Sequence, residues 1–232
     1  MGCYSWFIIS IINSMKDKIR MILREGVVDS TIKRIAIFDF DGTLIDTDTP
    51  ESGKPLWLEE FGFEWPFKGW WGRPESLDSR IYFQKKANEL TDTLTKKGLD
   101  SYKIEEIIQK GLSRNIFDNN LITSTLSAYG EQSKRKDTMT ILLTGRHSGV
   151  GELVTSILNK NQLTFNDYIY KSGNLDTAEF KIEVLDKLVN NNPSVQEIEI
   201  WEDRDDHLPV FQSWGNDQRI EVTVHHITDA TK

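Results

Sequence analysis

"IAIFDFDGTLIDTD", residues 35–48, opens as an apolar, β-prone run and then sets Asp39 and Asp41 on alternate positions ahead of Gly42 and Thr43. A run apolar on both faces reads as a strand buried inside a parallel sheet. Related runs follow at 138–144 ("TMTILLT"), 167–171 ("DYIYK") and 197–202 ("EIEIWE"). A fifth, "RIEVTVHHI" at 219–227, alternates and reads as an edge strand. Helical patterns lie between the later strands: Leu153, Val154, Ile157 and Leu158 mark one face, and Phe180, Val184, Leu185, Leu188 and Val189 another. "DTAE" at 176–179 offers the second helix an Asp cap with Glu three residues on. Strand and helix in alternation predict an α/β fold with a Rossmann-like, doubly wound, mostly parallel sheet. Ligands of such sheets sit beyond the carboxyl ends of the strands, where Asp39 and Asp41 fall.

Outward from that core, the interval 46–137 predicts an insertion after the first strand. It opens as a Pro/Gly/Trp-rich loop and continues with helices at about 79–97, 101–112 and 118–130, with no convincing strand. It is expected to pack beside or over the carboxyl edge. Residues 1–33 read as an N-terminal arm outside the catalytic domain of 34–232. "WFIISII" (6–12) is too short to span a bilayer and lacks the basic flank of a secretory signal. Trp6 occupies the Ser/Thr position of a myristoylation signal. The formal net charge of −8 argues against holding nucleic acid by bulk electrostatics and leaves room for a local basic groove. The one cysteine, Cys3, rules out an intramolecular disulfide and fits a reducing, cytoplasmic setting.

The carboxylates have a chemical reading. One can attack phosphorus to form an acyl phosphate, and the other can protonate the leaving oxygen and then activate water. Thr43 can offer a hydroxyl or amide to phosphoryl oxygens. Two acids repel a phosphate dianion, so the scheme requires cations, and a hard cation such as Mg²⁺ is the usual remedy. The chain supplies partners in order: Thr144 and the following Gly145 amide in "ILLTGRHSG" (141–149), Lys181 early in a helix, and Glu202 with Asp203 in "IEIWEDRDDH" (198–207). Each alone has a plain structural reading: a turn, a solvated lysine, an acidic loop. Together they fall at successive strand ends.

The D-x-D-G-T string and this order resemble the haloacid dehalogenase (HAD) superfamily of aspartate-nucleophile phosphotransferases. "LLTGRHSG", "TAEFKIEVLDKL", "IWEDRDDHLPVF" and "GWWGRPESL" narrow it. They resemble the HAD domain of Swiss Army Knife RNA-repair proteins, and in part the 3′-phosphatase domain of phage polynucleotide kinases. The resemblance implies Asp39 as nucleophile, Asp41 as general acid/base, and Thr144 and Lys181 on the phosphoryl group. It also implies Mg²⁺ held by Asp39, the Asp41 backbone carbonyl and Asp203. Glu202 stands where the phage-type enzymes have Asp, which leaves Glu202 or Asp203 as the direct ligand, with Asp203 favoured. The implied substrate is an RNA or DNA end, with an RNA 3′-phosphate preferred.

Several residues keep two readings. Arg73, Arg146 and Arg204 can grip substrate phosphates or form structural ion pairs. Trp65, Trp70 and Trp71 can stack on a base or form the insertion's own core. His207 can orient a ligand or fill a structural place. No G-x-x-x-x-G-K-[ST] occurs, so no ATP site is expected in this chain. The rival functions are a nucleotide or sugar phosphatase, whose insertion would cap the site, and a non-catalytic HAD-like binding module.

Overall fold

The computed structural model describes residues 31–228; the reading of an N-terminal arm falls, for residues 1–30, outside them. Its main sheet has five strands: β1 (Arg34–Phe38), β4 (Thr138–His147), β5 (Asp167–Lys171), β6 (Glu197–Glu202) and β7 (Glu221–His226). They are ordered β5-β4-β1-β6-β7, and every neighbouring pair is parallel. The fold is therefore the expected α/β sheet, with β7 at an edge. β1 is central because Ile35, Ala36, Ile37 and Phe38 are all buried. Side chains alternate along a strand, so this one run feeds two cores. Ala36 and Phe38 pack with Leu142, Trp201 and Tyr129. Ile35 and Ile37 pack with Ile141, Leu143, Ile198 and Ile200.

Helices cover both faces. The first core takes α4 (Thr123–Gln132) through Tyr129 and α5 (Gly151–Lys160) through Val154, Ile157 and Leu158. The second takes α6 (Thr177–Asn191) through Phe180, Val184 and Leu185, and α7 (Leu208–Asn216) through Phe211 and Trp214. The Asp176 side chain caps α6 by accepting the Ala178 amide, which fixes where that helix begins and so where Lys181 stands.

Two expectations for the interval after β1 are corrected. First, the Pro/Gly/Trp-rich loop contains helix α1 (Pro50–Phe61). Thr49 and Ser52 form a reciprocal cap, Pro50 occupies the first turn, and Gly62 ends the helix with φ +74°. Pro55 removes one internal hydrogen bond, yet burial of Trp57 and Phe61 holds the helix. Second, the interval does contain strands: β2 (Ile45–Thr47) pairs antiparallel with β3 (Asn119–Leu121). Between them, α1 packs with α2 (Arg80–Lys96) and α3 (Ser101–Ser113) around a separate aromatic core of Trp57, Phe61, Trp70, Tyr82, Phe83 and Phe117. α4 sits on the main sheet rather than on that core. No helix among the described residues is long and apolar enough to cross a membrane.

Candidate active site

β1 stops at Phe38, and Asp39 continues its line by donating its amide to the Trp201 carbonyl at 3.1 Å. The chain then turns sharply. Gly42 takes φ +65°, and a Cβ there would lie 2.2 Å from Asp203 Oδ2, so the turn and the neighbouring acid both require glycine. Thr43 is fully buried, and its hydroxyl points to Asp203 Oδ1 at 3.4 Å. That hydroxyl braces an acid in addition to any role toward substrate.

Lys181 is 2% exposed and lies between two carboxylates: Nζ stands 2.6 Å from Glu202 Oε2 and 3.1 Å from Asp39 Oδ2. Burial works against its ammonium, but Asp39 and Glu202 outweigh it and raise its pKa. Lys187 is exposed and paired with Glu183, and Lys171 donates to Thr177, so neither competes for this place. Burial also dominates at Asp39 and pushes its carboxyl well above the usual range; Lys181 opposes this, while Glu202, Asp203 and Asp41 add to it. Asp203 is raised to about 7, by burial first and then by Glu202. Burial would raise Glu202 too, but Lys181 and then His207 hold it below its ordinary value. Lys181 thus pairs directly with two of the three clustered carboxylates, and its charge also acts on Asp203.

Ligand atoms of Asp39, Glu202 and Asp203 lie within 4.8 Å of one another. Asp39 Oδ1 is buried with no hydrogen-bond partner. Hard oxygen donors, surplus negative charge and an unpartnered buried oxygen all fit a divalent cation such as Mg²⁺. The Asp41 side chain is not part of this group. Both Glu202 oxygens already have neighbours: Lys181 at Oε2, and His207 Nδ1 at 3.2 Å with the Arg204 amide at 3.4 Å from Oε1. His207 is buried against the pair, and neither ring nitrogen makes a well-formed hydrogen bond.

Asp41 is held by a different set. Arg146 Nε lies 2.9 Å from its Oδ2, Nη2 lies 2.7 Å from Oδ1, and the Thr47 hydroxyl donates to Oδ1 at 2.6 Å. Arg146 is fully buried, and Nη1 donates to Ser76 Oγ at 2.7 Å and to the Trp71 carbonyl at 3.3 Å. These donors are engaged inside the protein, as in the ion-pair reading. An irregularity in the β4–β5 pairing after Thr144 re-aims the strand. The buried Thr144 hydroxyl accepts the Arg146 amide at 3.0 Å there, and Gly145 is pressed against Thr177, whose Cγ2 would lie 2.7 Å from an added Cβ. Arg204 is half-exposed and paired with Asp206 at 2.6 Å. Arg73 lies over Phe67 at 4.7 Å.

Sequence reasoning missed Thr47 and Ser76. Ser76 is 70 residues from Arg146 along the chain, and no local pattern links them. The tryptophans divide: Trp70 is buried and donates to the Asp48 carbonyl, Trp65 packs on Trp57 and Trp70, and Trp71 stays 41% exposed.

The sequence model of HAD domain family 1 in Swiss Army Knife RNA repair proteins matches residues 64–232. That stretch carries Thr144, Lys181, Glu202 and Asp203, and it begins after Asp39 and Asp41. The uncharacterized protein YMR265C of Saccharomyces cerevisiae is 25% identical over 205 residues, covering 81% of this chain. The chain spans only 38% of that relative's length. Among solved structures, the HAD domain of effector protein Lem4 from Legionella pneumophila is 13% identical with a TM-score of 0.44, over 88% of this chain and 91% of that one. The haloacid dehalogenase-like hydrolase SP0104 of Streptococcus pneumoniae is 13% identical with a TM-score of 0.41, over 84% and 95%. Neither reaches a TM-score of 0.5, and the family assignment rests on the sequence model.

Proposed function

The chain belongs to HAD domain family 1 of the Swiss Army Knife RNA repair proteins, a hydrolase domain of the HAD phosphatase type, and on that premise we propose that it removes terminal phosphate from RNA, with the 3′-phosphate preferred. The observation that carries the chemistry is Asp39: a buried carboxylate with one oxygen beside Lys181 and the other unpartnered, facing the same cluster as Asp203 and Glu202. The choice of RNA is carried by the family.

In the proposed reaction an Asp39 oxygen attacks phosphorus, forming an acyl phosphate as the bond to the leaving alcohol breaks. Asp41 gives its proton to the departing oxygen. It then takes a proton from water, which attacks phosphorus and breaks the bond to Asp39, releasing inorganic phosphate. Arg146 and Thr47 fix the orientation of Asp41, and Oδ2 has fewer partners than Oδ1, which suits it to proton transfer. Lys181 offsets charge on the phosphoryl oxygens, with Thr144 and the Gly145 amide beside it. Asp39 and Asp203, backed by Glu202 and the Asp41 carbonyl, would hold Mg²⁺, which when bound screens acid–phosphate repulsion and polarises the phosphoryl group. Asp203 is favoured over Glu202 as the direct ligand because both Glu202 oxygens already have neighbours.

A nucleotide or sugar phosphatase is the second reading. The observation behind it is the insertion's contact with the site, where Trp71 and Ser76 bond Arg146, as a cap over a small substrate would. The test measures Mg²⁺-dependent phosphate release from p-nitrophenyl phosphate, a 3′-phosphorylated oligoribonucleotide, its 5′-phosphorylated isomer and a nucleoside monophosphate, alongside Asp39→Asn. Turnover concentrated on the 3′-phosphorylated oligomer and lost in Asp39→Asn is expected. Turnover of the monophosphate alone would keep the mechanism and replace the substrate. No release from any of them would refute the enzymatic reading.

A further inference from the structure

Among the tryptophans of the described residues, Trp71 is the exposed member of an otherwise covered set. Trp57 and Trp70 are buried, Trp201 is stacked between Phe38 and His225, and Trp214 is buried and bonded to Asp186. Trp65 is packed edge-on to Trp57 and donates to the Gly69 carbonyl. Trp71 keeps 41% of its surface open. The open part of the indole offers a rigid, two-torsion contact surface.

Its position gives that surface a use. The Arg146 guanidinium lies over the Trp71 ring with Cζ 5.0 Å from the centroid, and the same guanidinium grips Asp41 at 2.7 and 2.9 Å. The Trp71 carbonyl also accepts from Arg146 Nη1, which ties the residue to the site through its backbone. One buried cation therefore contacts both the ring and Asp41, the carboxylate proposed to protonate the leaving oxygen. Among the described residues, the other exposed large apolar side chains, such as Leu58, Tyr102 and Val210, make no cation–π contact with Arg146; Trp71 does.

We infer that Trp71 is the stacking surface for the planar base carried by the leaving alcohol. This rests on the proposed reaction, in which the alcohol departs on the Asp41 side. The ligand chemistry is a nucleobase one sugar away from the phosphorus, belonging to a polynucleotide end or to a free nucleotide. Stacking on an indole uses the π-face that every base has, so the site tolerates all four bases. Arg146 lies against the ring, and the 41% of Trp71 that stays open is the surface offered to the base.

The experiment compares kcat/KM for a 3′-phosphorylated oligoribonucleotide, the same oligomer with an abasic terminal residue, and a nucleoside 3′-monophosphate. Each is run with the native protein, Trp71→Ala and Trp71→Phe. The native protein prefers the base-bearing end over the abasic one. In Trp71→Ala that ratio falls by about tenfold or more, mainly through KM, as loss of one base–aromatic stack requires. Trp71→Phe retains most of it. The same loss on the monophosphate assigns the site to free nucleotides as well; loss on the oligomer alone assigns it to polynucleotide ends.

An unchanged ratio in Trp71→Ala overturns the inference, as does an equal fall on both oligomers, which would mark Trp71 as support for Arg146 alone. A binding arm separates this result from failure of the catalytic reading. Fluorescence anisotropy follows the labelled base-bearing and abasic oligomers on Asp39→Asn with and without Trp71→Ala. Tighter binding of the base-bearing oligomer, lost with Trp71, upholds the stacking site even without turnover. Equal binding of the two refutes it.

Discussion

Replacing Lys181 by Met tests the charge balance on which the site depends. The side chain is 2% exposed, with Asp39 Oδ2 at 3.1 Å and Glu202 Oε2 at 2.6 Å. At an effective dielectric near 20, such contacts are worth roughly 5 and 6 kcal/mol before desolvation. Burying three charged groups cancels much of that, and removing one partner of a buried pair leaves a net loss of about 3–5 kcal/mol. For a chain of this size that lowers Tm by roughly 6–20 °C.

The measurement is urea and thermal unfolding of the native and Lys181→Met proteins in chelator, so that no cation compensates. The sign with pH follows from the groups left behind. Without the ammonium, burial holds the Asp39 carboxyl further above its unfolded value, so the variant binds more protons folded than unfolded. Its stability then falls as pH rises, and the deficit is larger at pH 8 than at pH 5 by this linkage, at roughly constant protein concentration. Adding Glu202→Gln removes one uncompensated charge and restores about 1–3 kcal/mol of the deficit. A deficit below about 1 kcal/mol, or strict additivity of the two changes, would refute the account of Lys181 as the shared counter-charge.

Gly42→Ala forces a Cβ into a φ of +65° and against Asp203 Oδ2 at 2.2 Å. It is expected to cost at least about 1–2 kcal/mol in stability and to shrink the Tm rise produced by Mg²⁺ in a melting series. Asp203 at about 7 and the raised Asp39 bind protons in the folded state, so metal-free stability falls as pH rises toward 7 while Mg²⁺ affinity grows. Calorimetric melts with and without MgCl₂ should therefore show a small shift at pH 5.5 and a larger one at pH 8. Arg146→Lys keeps the charge and loses the fork to Asp41, Ser76 and the Trp71 carbonyl, and kcat is expected to fall by about tenfold or more while Ser76→Ala costs less. Gly111→Ala drives a Cβ to 2.2 Å from Phe83, and denaturation should show a loss of about 1–3 kcal/mol from overpacking between α2 and α3.

The sequence by itself determined the parallel sheet and the acids at its carboxyl edge. Short, nearly continuous apolar runs, amphipathic helices between them and the D-x-D-G-T turn are local signals, each contained within a few residues. Lys181 was legible for the same reason, since its helix has a local cap and its partners end adjacent strands. α1 was missed although its signals were present, because Pro55 and the tryptophans around it read as loop. β2 and β3 had no such signal: three residues each, they pair across the whole aromatic unit that separates them.

Only the tertiary structure decided where the arginines and tryptophans lie and what they contact. Arg146 stands 105 residues from Asp41 and 70 from Ser76 along the chain, and its charge alone allowed either a substrate contact or an ion pair. Folding buries it, and a buried guanidinium must place its donors on fixed acceptors. That requirement ties the insertion to Asp41, separates Trp71 from Trp65 and Trp70, and converts composition into a site.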